Sequence, residues 1–491
     1  MNNVFAAIIG YVAMFFVIRY MGKEALGIVA FAISFVGLFS FMAKLGFDSA
    51  HTKRISEGKD QAKCNGTFFS IKFLLIGLFI SITIISIYIW KNILGNGFET
   101  PLHESAIYVA LVYWAAFSLV TGFVATFNGR KEIAKSQSIR FMNDFGRNVI
   151  MIVVALASLG VLALAGAYVV GTLLALGVAI YFFRKLPIGK PNMEYARSYI
   201  RFALPLAISS SVLVIASNTD VVMIQWFWNS ASVADYYTAK KIAMILTMIS
   251  MAVSTALYPA LSSYSSKGEM KKVRETTISA ERYMSMLMFP VAVFIIVFPE
   301  NIILMLSKSM LSSIPVLQTL TVLYALIVLN YPYNNLIAAM DRTSILGKIN
   351  MMRALLNIGL NLIFIPVSFM GVSMLGMGAL GAAIATLIAF LITTISLRLS
   401  AYRLSGAVMD PRIIRHLSAA LLTSIIFYFL GASWAVRWYS LALFAMAFIA
   451  VYFAILYLMR EFKKEDFDMF ADALHPKKMA RYVNGELRGK D

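Results

Sequence analysis

The feature that most constrains this chain is the recurrence of apolar stretches about twenty residues long, separated by short polar breaks. A helix needs about 20 mostly apolar residues to cross a bilayer. Such stretches centre on residues 4–20, 26–46, 68–90, 105–127, 143–163, 165–183, 203–227, 232–258, 284–303, 314–339, 352–370, 376–397, 414–434 and 438–459. A spanning backbone must satisfy its own polar groups, so the pattern predicts an all-α integral membrane protein of about fourteen transmembrane helices. Of the 491 residues, 60% are hydrophobic and 14% charged, against about 25% charged in a water-facing domain. Lipid is therefore the solvent for much of the surface. The first stretch, Val4 to Val17, has no basic segment before it and no small-residue cleavage site after it. It reads as a spanning helix rather than a cleaved signal.

A net charge of +19 raises nucleic acid as a partner, but the placement of the basic residues removes the need for one. Breaks after the odd-numbered stretches carry Arg19, Lys23, Lys91, Lys308 and Arg437. Breaks after the even-numbered stretches carry most of the rest, among them Lys53, Arg54, Lys59, Lys63, Arg184, Lys185, Lys190, Lys267, Lys271 and Lys272, and a basic tail follows from Arg460. Cytoplasmic loops concentrate Lys and Arg, so the even breaks and both termini are expected inside the cell. One cysteine, Cys64, excludes a disulfide framework, and four scattered histidines do not have metal-ligand spacing. No phosphate-binding Gly-x-x-x-x-Gly-Lys loop, nucleophile elbow or long catalytic loop is present in the sequence. No enzyme, cofactor or metal is expected.

The chain repeats weakly. Arg140, Asp144, Gly146 and Asn148 entering the fifth stretch align at one offset with Arg353, Asn357, Gly359 and Asn361 entering the eleventh. Six helices lie between the copies, an even number, so the two have the same orientation. That predicts two parallel six-helix lobes with a site between them near the membrane midplane. The expected division is 1–190 for the first lobe, 191–402 for the second, 403–460 for two additional helices and 461–491 for a cytoplasmic basic tail.

Several short motifs in this order resemble one family. They are Arg19-Tyr-Met-Gly-Lys-Glu-Ala-Leu-Gly27, Leu45-Gly-Phe-Asp-Ser-Ala50, Asn218-Thr-Asp220 with Tyr236-Tyr-Thr-Ala-Lys-Lys-Ile242, and Asn361-Leu-Ile-Phe-Ile-Pro366 followed by Gly378 to Thr386. The chain resembles the polysaccharide, or O-antigen type, flippases of the multidrug/oligosaccharidyl-lipid/polysaccharide exporter superfamily over residues 1–400. The resemblance implies a V-shaped cavity that alternates between inward- and outward-open. It also implies a sugar chain on a polyprenyl phosphate or pyrophosphate as substrate, with membrane lipids and a polysaccharide polymerase or glycosyltransferases as partners.

Charges deep in a spanning helix are costly unless paired or hydrated, so they mark candidate working residues. Asp220 lies about seven residues from one membrane face and Lys240 and Lys241 eight or nine, which is about 10–13 Å deep. One reading has a lysine binding a substrate phosphate while Asp220 orients it or exchanges a proton; the other is a fixed Asp220–Lys241 pair. Arg140, Asp144, Arg147 and Asn148 share one helical face, and Arg353, Asn357 and Asn361 another. Both faces are expected to line the cavity, although Arg140 and Arg353 also fit membrane-edge positions. Lys44 and Asp48 read as an i,i+4 edge pair. Arg54 and Arg19 are further candidates for the cavity mouth or the membrane edge. Pro205 and Pro332, within helices, are candidate hinges, and static kinks are the plainer alternative. The preferred function is a lipid-linked oligosaccharide flippase of the cytoplasmic membrane. Rivals are a cation-coupled multidrug or metabolite antiporter of the same superfamily and a non-transporting assembly subunit of an envelope-polymer complex. A basic cavity favours the first and a neutral-to-acidic one the antiporter.

Overall fold

The structure, a computed structural model, describes residues 2–94, 97–431 and 437–462. Its helices are α1 (Asn2–Phe39), α2 (Phe47–Ser56), α3 (Gln61–Tyr88), α4 (Pro101–Gly129), α5 (Ile133–Leu156), α6 (Val161–Phe183), α7 (Met193–Phe227) and α8 (Ser230–Ala243). The chain continues with α9 (Thr247–Ser266), α10 (Met270–Val297), α11 (Pro299–Leu306), α12 (Ile314–Ala339), α13 (Thr343–Phe364), α14 (Gly378–Ser405), α15 (Arg412–Leu430) and α16 (Trp438–Leu458). Among the described residues, ten helices are long and apolar enough to cross a membrane, or eleven with the bent α8–α9 pair counted as one span. The expectation of about fourteen is consistent with this set. α1 is broken at Gly22, whose φ of 81° and ψ of 171° leave helical space. α5 and α13 are long enough to span, but they carry the polar stripes that lower their hydropathy.

Three local departures from the sequence expectation have physical causes. The eighth stretch is not one helix: a 3-10 turn at Met244–Leu246 divides α8 from α9. The eleventh helix ends at Phe364 rather than 370, because Pro366 follows and the chain turns back in a two-residue hairpin, β1 (Ser368–Phe369) with β2 (Val372–Ser373). Met370 and Gly371 at its tip both have positive φ, 51° and 82°, as a type I′ turn requires. Finally, the second stretch stops at Phe39. Leu45 and Gly46, with φ of 38° and 76°, turn the backbone before α2 begins.

α4, α5 and α6 pack with one another and against α1 to form one lobe, and α9, α10, α12, α13 and α14 form the other. α15 and α16 sit outside the second lobe against α10. Tyr452 donates to the Met286 carbonyl at 2.9 Å, and His416 meets Ser285 at 2.8 Å. Glu461, expected at the start of the tail, is instead buried: Arg282 binds it at 2.8 Å, with Arg415 and His416 each at 3.5 Å. The rest of the expected tail, 463–491, lies outside the described residues.

The lobes share a bond that sequence alignment alone does not register. Asn143 on α5 meets the Thr172 hydroxyl on α6 at 3.0 Å, and Asn357 on α13 meets Thr386 on α14 at 2.9 Å. Each bond spans 29 positions. In three dimensions Asn357 therefore answers to Asn143, one residue away from the expected partner Asp144.

The apolar core is continuous at one end of the molecule and divided at the other. At the end with few basic residues, Leu26 to Val36 of α1 join Val221 to Ile224 of α7, Val233 to Ala243 of α8 and Phe289 to Phe298 in one cluster. At the basic end, two separate clusters remain. One lies around Phe68, Phe127, Ile139 and Tyr199, and the other around Leu261, Tyr333, Leu336 and Leu397. The continuous end is also sealed by polar contacts. Lys23 lies 3.4 Å from Asp235 and 3.1 Å from Ser312; Glu99 accepts from Gln225 at 2.9 Å; and His103 meets Ser230 at 2.7 Å. Gly27 has no room for a side chain, because a Cβ there would collide with the Ser230 carbonyl. The apolar core between the lobes is thus continuous at the sparse end and interrupted at the basic end.

Candidate functional site

α8 stands between the lobes and carries two like pairs, Tyr236-Tyr237 and Lys240-Lys241. Successive helical residues diverge by about 100°, and i and i+4 share a face. Tyr236 and Lys240 therefore turn one way, Tyr237 and Lys241 the other.

On the second-lobe side the pair meets a buried aspartate. The Tyr236 hydroxyl donates to Asp220 Oδ2 at 2.5 Å, Asn361 Nδ2 donates to Oδ1 at 2.7 Å, and the Thr386 hydroxyl lies 3.1 Å from Oδ2. Lys240 Nζ donates to the Ser217 carbonyl at 3.1 Å and lies 5.7 Å from the Tyr236 ring centre. A cavity of about 230 Å³ opens here, lined by Asp220, Lys240, Tyr324, Arg353, Asn357 and Thr386. Arg353 stacks on Phe390, 3.8 Å from the ring centre, and its Nε reaches the Thr393 hydroxyl at 3.1 Å. Asn361 Oδ1 is buried without a hydrogen-bond partner.

On the first-lobe side, Lys241 lies over Tyr237 at 5.5 Å and within Coulombic reach of Tyr168, Arg147 and Asp144. Arg147 pairs with Asp144 at 3.3 Å and lies 5.3 Å from the Tyr168 ring centre. Its Nε donates to Asn148 Oδ1 at 3.3 Å, and Asn148 Nδ2 donates to the Ala6 carbonyl at 3.4 Å. Tyr11 donates to the Lys241 carbonyl at 2.9 Å.

The structure thus brings Asp220, Lys240, Asn357, Asn361 and Arg353 together in one lobe. Asp144, Arg147, Asn148 and Lys241 gather in the other. It corrects the alternative of a fixed Asp220–Lys241 pair: the 100° divergence sends Lys241 to the opposite lobe, and neutral donors take the carboxylate. It also corrects the Lys44–Asp48 pair. The turn at Leu45–Gly46 leaves Lys44 in the link before α2 while Asp48 lies in its first turn, so Asp48 binds Lys72 at 2.6 Å and Lys44 sits 5.5 Å from the Phe117 ring centre. Arg140 is exposed on α5. Arg54 holds Glu57 at 2.8 Å, and Arg19 is exposed 5.8 Å from the Phe15 ring centre. None of these three joins either cluster. Pro205 and Pro332 lie inside α7 and α12. Sequence reasoning missed Tyr236, Tyr237, Tyr168, Tyr324 and Thr386. The i,i+4 spacing of Tyr236 to Lys240 and Tyr237 to Lys241 was the signal available for the first two.

Chemically, four cations (Lys240, Lys241, Arg147 and Arg353) face two carboxylates (Asp220 and Asp144) around α8, leaving the region net positive. Such a surface suits a phosphate, which accepts from several charged donors at once. The oxygens of Asp220, Asn361 and Thr386 suit a proton or a hard monovalent cation. Among the described residues, no group of three or more His, Cys, Asp or Glu side chains could hold a metal ion.

Comparison with known proteins gives the family and fold of the chain. Residues 205–363 match the MatE family model. The chain is 26% identical over 410 residues to a probable low-salt glycan biosynthesis flippase, Agl15, of Haloferax volcanii, covering 80% of each chain. The lipid II flippase MurJ in an inward closed conformation superposes with a TM-score of 0.77 at 16% identity, over 94% of this chain and 99% of that one. An inward-facing multidrug resistance MATE transporter of the MOP superfamily gives 0.63 at 17% identity, over 82% and 96%. With residues 1–265 of its 491 matching the family model described as polysaccharide biosynthesis protein, the chain belongs to that family.

Proposed function

We propose that the chain flips a polyprenyl-phosphate- or pyrophosphate-linked oligosaccharide across the cytoplasmic membrane by alternating access, without catalysing a chemical step. The observation that carries this reading is the net positive charge around α8. An anionic headgroup leaving water needs fixed cations at the membrane midplane, whereas a cation-coupled drug antiporter needs the opposite sign. The similarity to a glycan biosynthesis flippase supports the same substrate class. The concentration of Lys and Arg at one end supports that end, and both termini, being cytoplasmic. The end with the divided core then faces the leaflet where a lipid-linked sugar is loaded. Cargo delivery in this direction suits polymerases or glycosyltransferases as partners on either side.

The lobes act as 1–190 and 191–402, with 403–460 as an appendage whose packing extends to Glu461, and the tail follows it. Asp220, Lys240, Asn357, Asn361 and Arg353 form one half of the path, and Asp144, Arg147, Asn148 and Lys241 the other. Arg19, Lys44, Asp48, Arg54 and Arg140 lie at its edges, and Pro205 and Pro332 absorb the bending. Reconstitution tests the reading: liposomes holding the purified protein should translocate a fluorescent polyprenyl-pyrophosphate disaccharide faster than protein-free liposomes. Equal rates would overturn it, and would leave an assembly role.

A further inference from the structure

The chamber at Asp220 does not end in protein. Leu213 and Asn350 line both it and a second, larger groove of about 1240 Å³ between α7 and α13. The groove wall is apolar: Leu206, Val212 and Leu213 from α7 face Met351, Leu355 and Gly359 from α13. Its mouth at the basic end carries Thr343, Ser344 and Lys348. From Thr343 to Leu360 the groove follows α13 for about 25 Å at 1.5 Å per residue, close to one leaflet plus the midplane.

The groove belongs to one lobe only. In the first lobe α1 packs against α5, and Gly146, which the sequence offset aligns with Gly359, is closed over by Leu174. The first half of α7 is anchored on its other flank. Tyr199 bonds His51 at 2.8 Å, and a Cβ on Gly46 would collide with the Ala203 carbonyl region, so this half rests on α2. Pro205 lies where the helix leaves that contact. A glycine in a spanning helix ordinarily lets a neighbouring helix approach closely. Gly381 does so against Phe364, but a Cβ at Gly359 would meet nothing within 4 Å. The missing side chain at Gly359 keeps the groove open rather than bringing helices together.

We propose that the α7–α13 groove holds the isoprenoid tail of an anionic lipid-linked substrate while its phosphate lies at Lys240 and Arg353 in the adjoining chamber. This rests on the lipid-linked-sugar reading above. An apolar channel that opens to the basic-side leaflet and ends on two cations matches a molecule with a long apolar tail and a phosphate at its junction. The tail would remain in the groove as the headgroup crosses.

The test uses the full chain in proteoliposomes with two substrates sharing one pyrophosphate disaccharide, one on a long polyprenyl chain and one on a ten-carbon prenyl chain. Gly359→Phe puts a ring into the groove from a position where a Cβ meets nothing within 4 Å. It should slow long-chain flipping at least tenfold, leave short-chain flipping within twofold, and keep the melting temperature of wild type. Unchanged long-chain flipping, or equal loss of both substrates, would overturn the proposal. A second measurement stands apart from transport: a benzophenone-bearing polyprenyl pyrophosphate should crosslink at Leu355, and be competed by unlabelled polyprenyl pyrophosphate but not by phosphatidylglycerol. Competition by both lipids would make the groove an ordinary lipid-filled fissure. If wild type flips neither substrate, the transport reading fails, and the crosslink alone decides the groove.

Discussion

At the scale of single residues, Asp220 is the best-defined feature of the site. Three neutral side chains surround its carboxylate, so Asp220→Ala strands buried donors, each costing roughly 1–3 kcal/mol. Asp220→Asn keeps the shape and loses the charge. We expect Asp220→Asn to hold its thermal melt within a few degrees of wild type while transport falls at least tenfold; full transport would remove Asp220 from the mechanism. Lys72 is a contrasting case. Its side chain is fully buried while its partner Asp48 is 21% exposed, so the pair braces the first lobe rather than meeting substrate. Lys72→Met should lower stability by about 1–3 kcal/mol, less than the loss of a fully buried pair. Chemical denaturation in detergent reads that difference.

At the scale of elements, α8 and the Gly22-broken α1 make the seam on which alternation depends. Gly27 abuts the Ser230 backbone, so Gly27→Leu should wedge the lobes apart at the sparse end. The expected outcome is increased labelling of a cysteine placed at the buried Ser230 by an impermeant maleimide, against a native background in which the single Cys64 is buried. Labelling equal to that of the parent would show that the seam does not govern access. The appendage should behave differently. Glu461 draws Arg282 and Arg415 onto the end of α16, so Glu461→Gln should loosen α15 and α16, detected as faster proteolysis near residue 410, before it alters transport.

At the scale of the whole molecule, the divided core at the basic end and the single core at the other describe one state of a two-state cycle. Crosslinking cysteines introduced at Lys23 and Ser312 with a short cleavable reagent should arrest turnover, and cleaving the linker should restore it. Continued turnover while crosslinked would mean that the sparse end need not open.

What the sequence determined by itself follows from local rules. Spanning length, the Lys and Arg asymmetry and the polar stripes of α5 and α13 are properties of segments, and lipid imposes them regardless of how helices pack. The membrane class and the many-helix architecture were legible in this way. Partners were not, because hydrogen bonds between helices depend on rotation and register, which hydropathy does not encode. The one-residue shift that pairs Asn357 with Asn143 shows this, as does the exchange of Lys44 for Lys72 at Asp48 across a turn made by Leu45 and Gly46. Only the tertiary structure decided that Lys240 and Lys241 serve opposite lobes, that Gly359 faces open space and Gly381 does not, and that the apolar core is divided at the basic end. Each depends on which neighbour fills the space beside a side chain, and packing alone settles that.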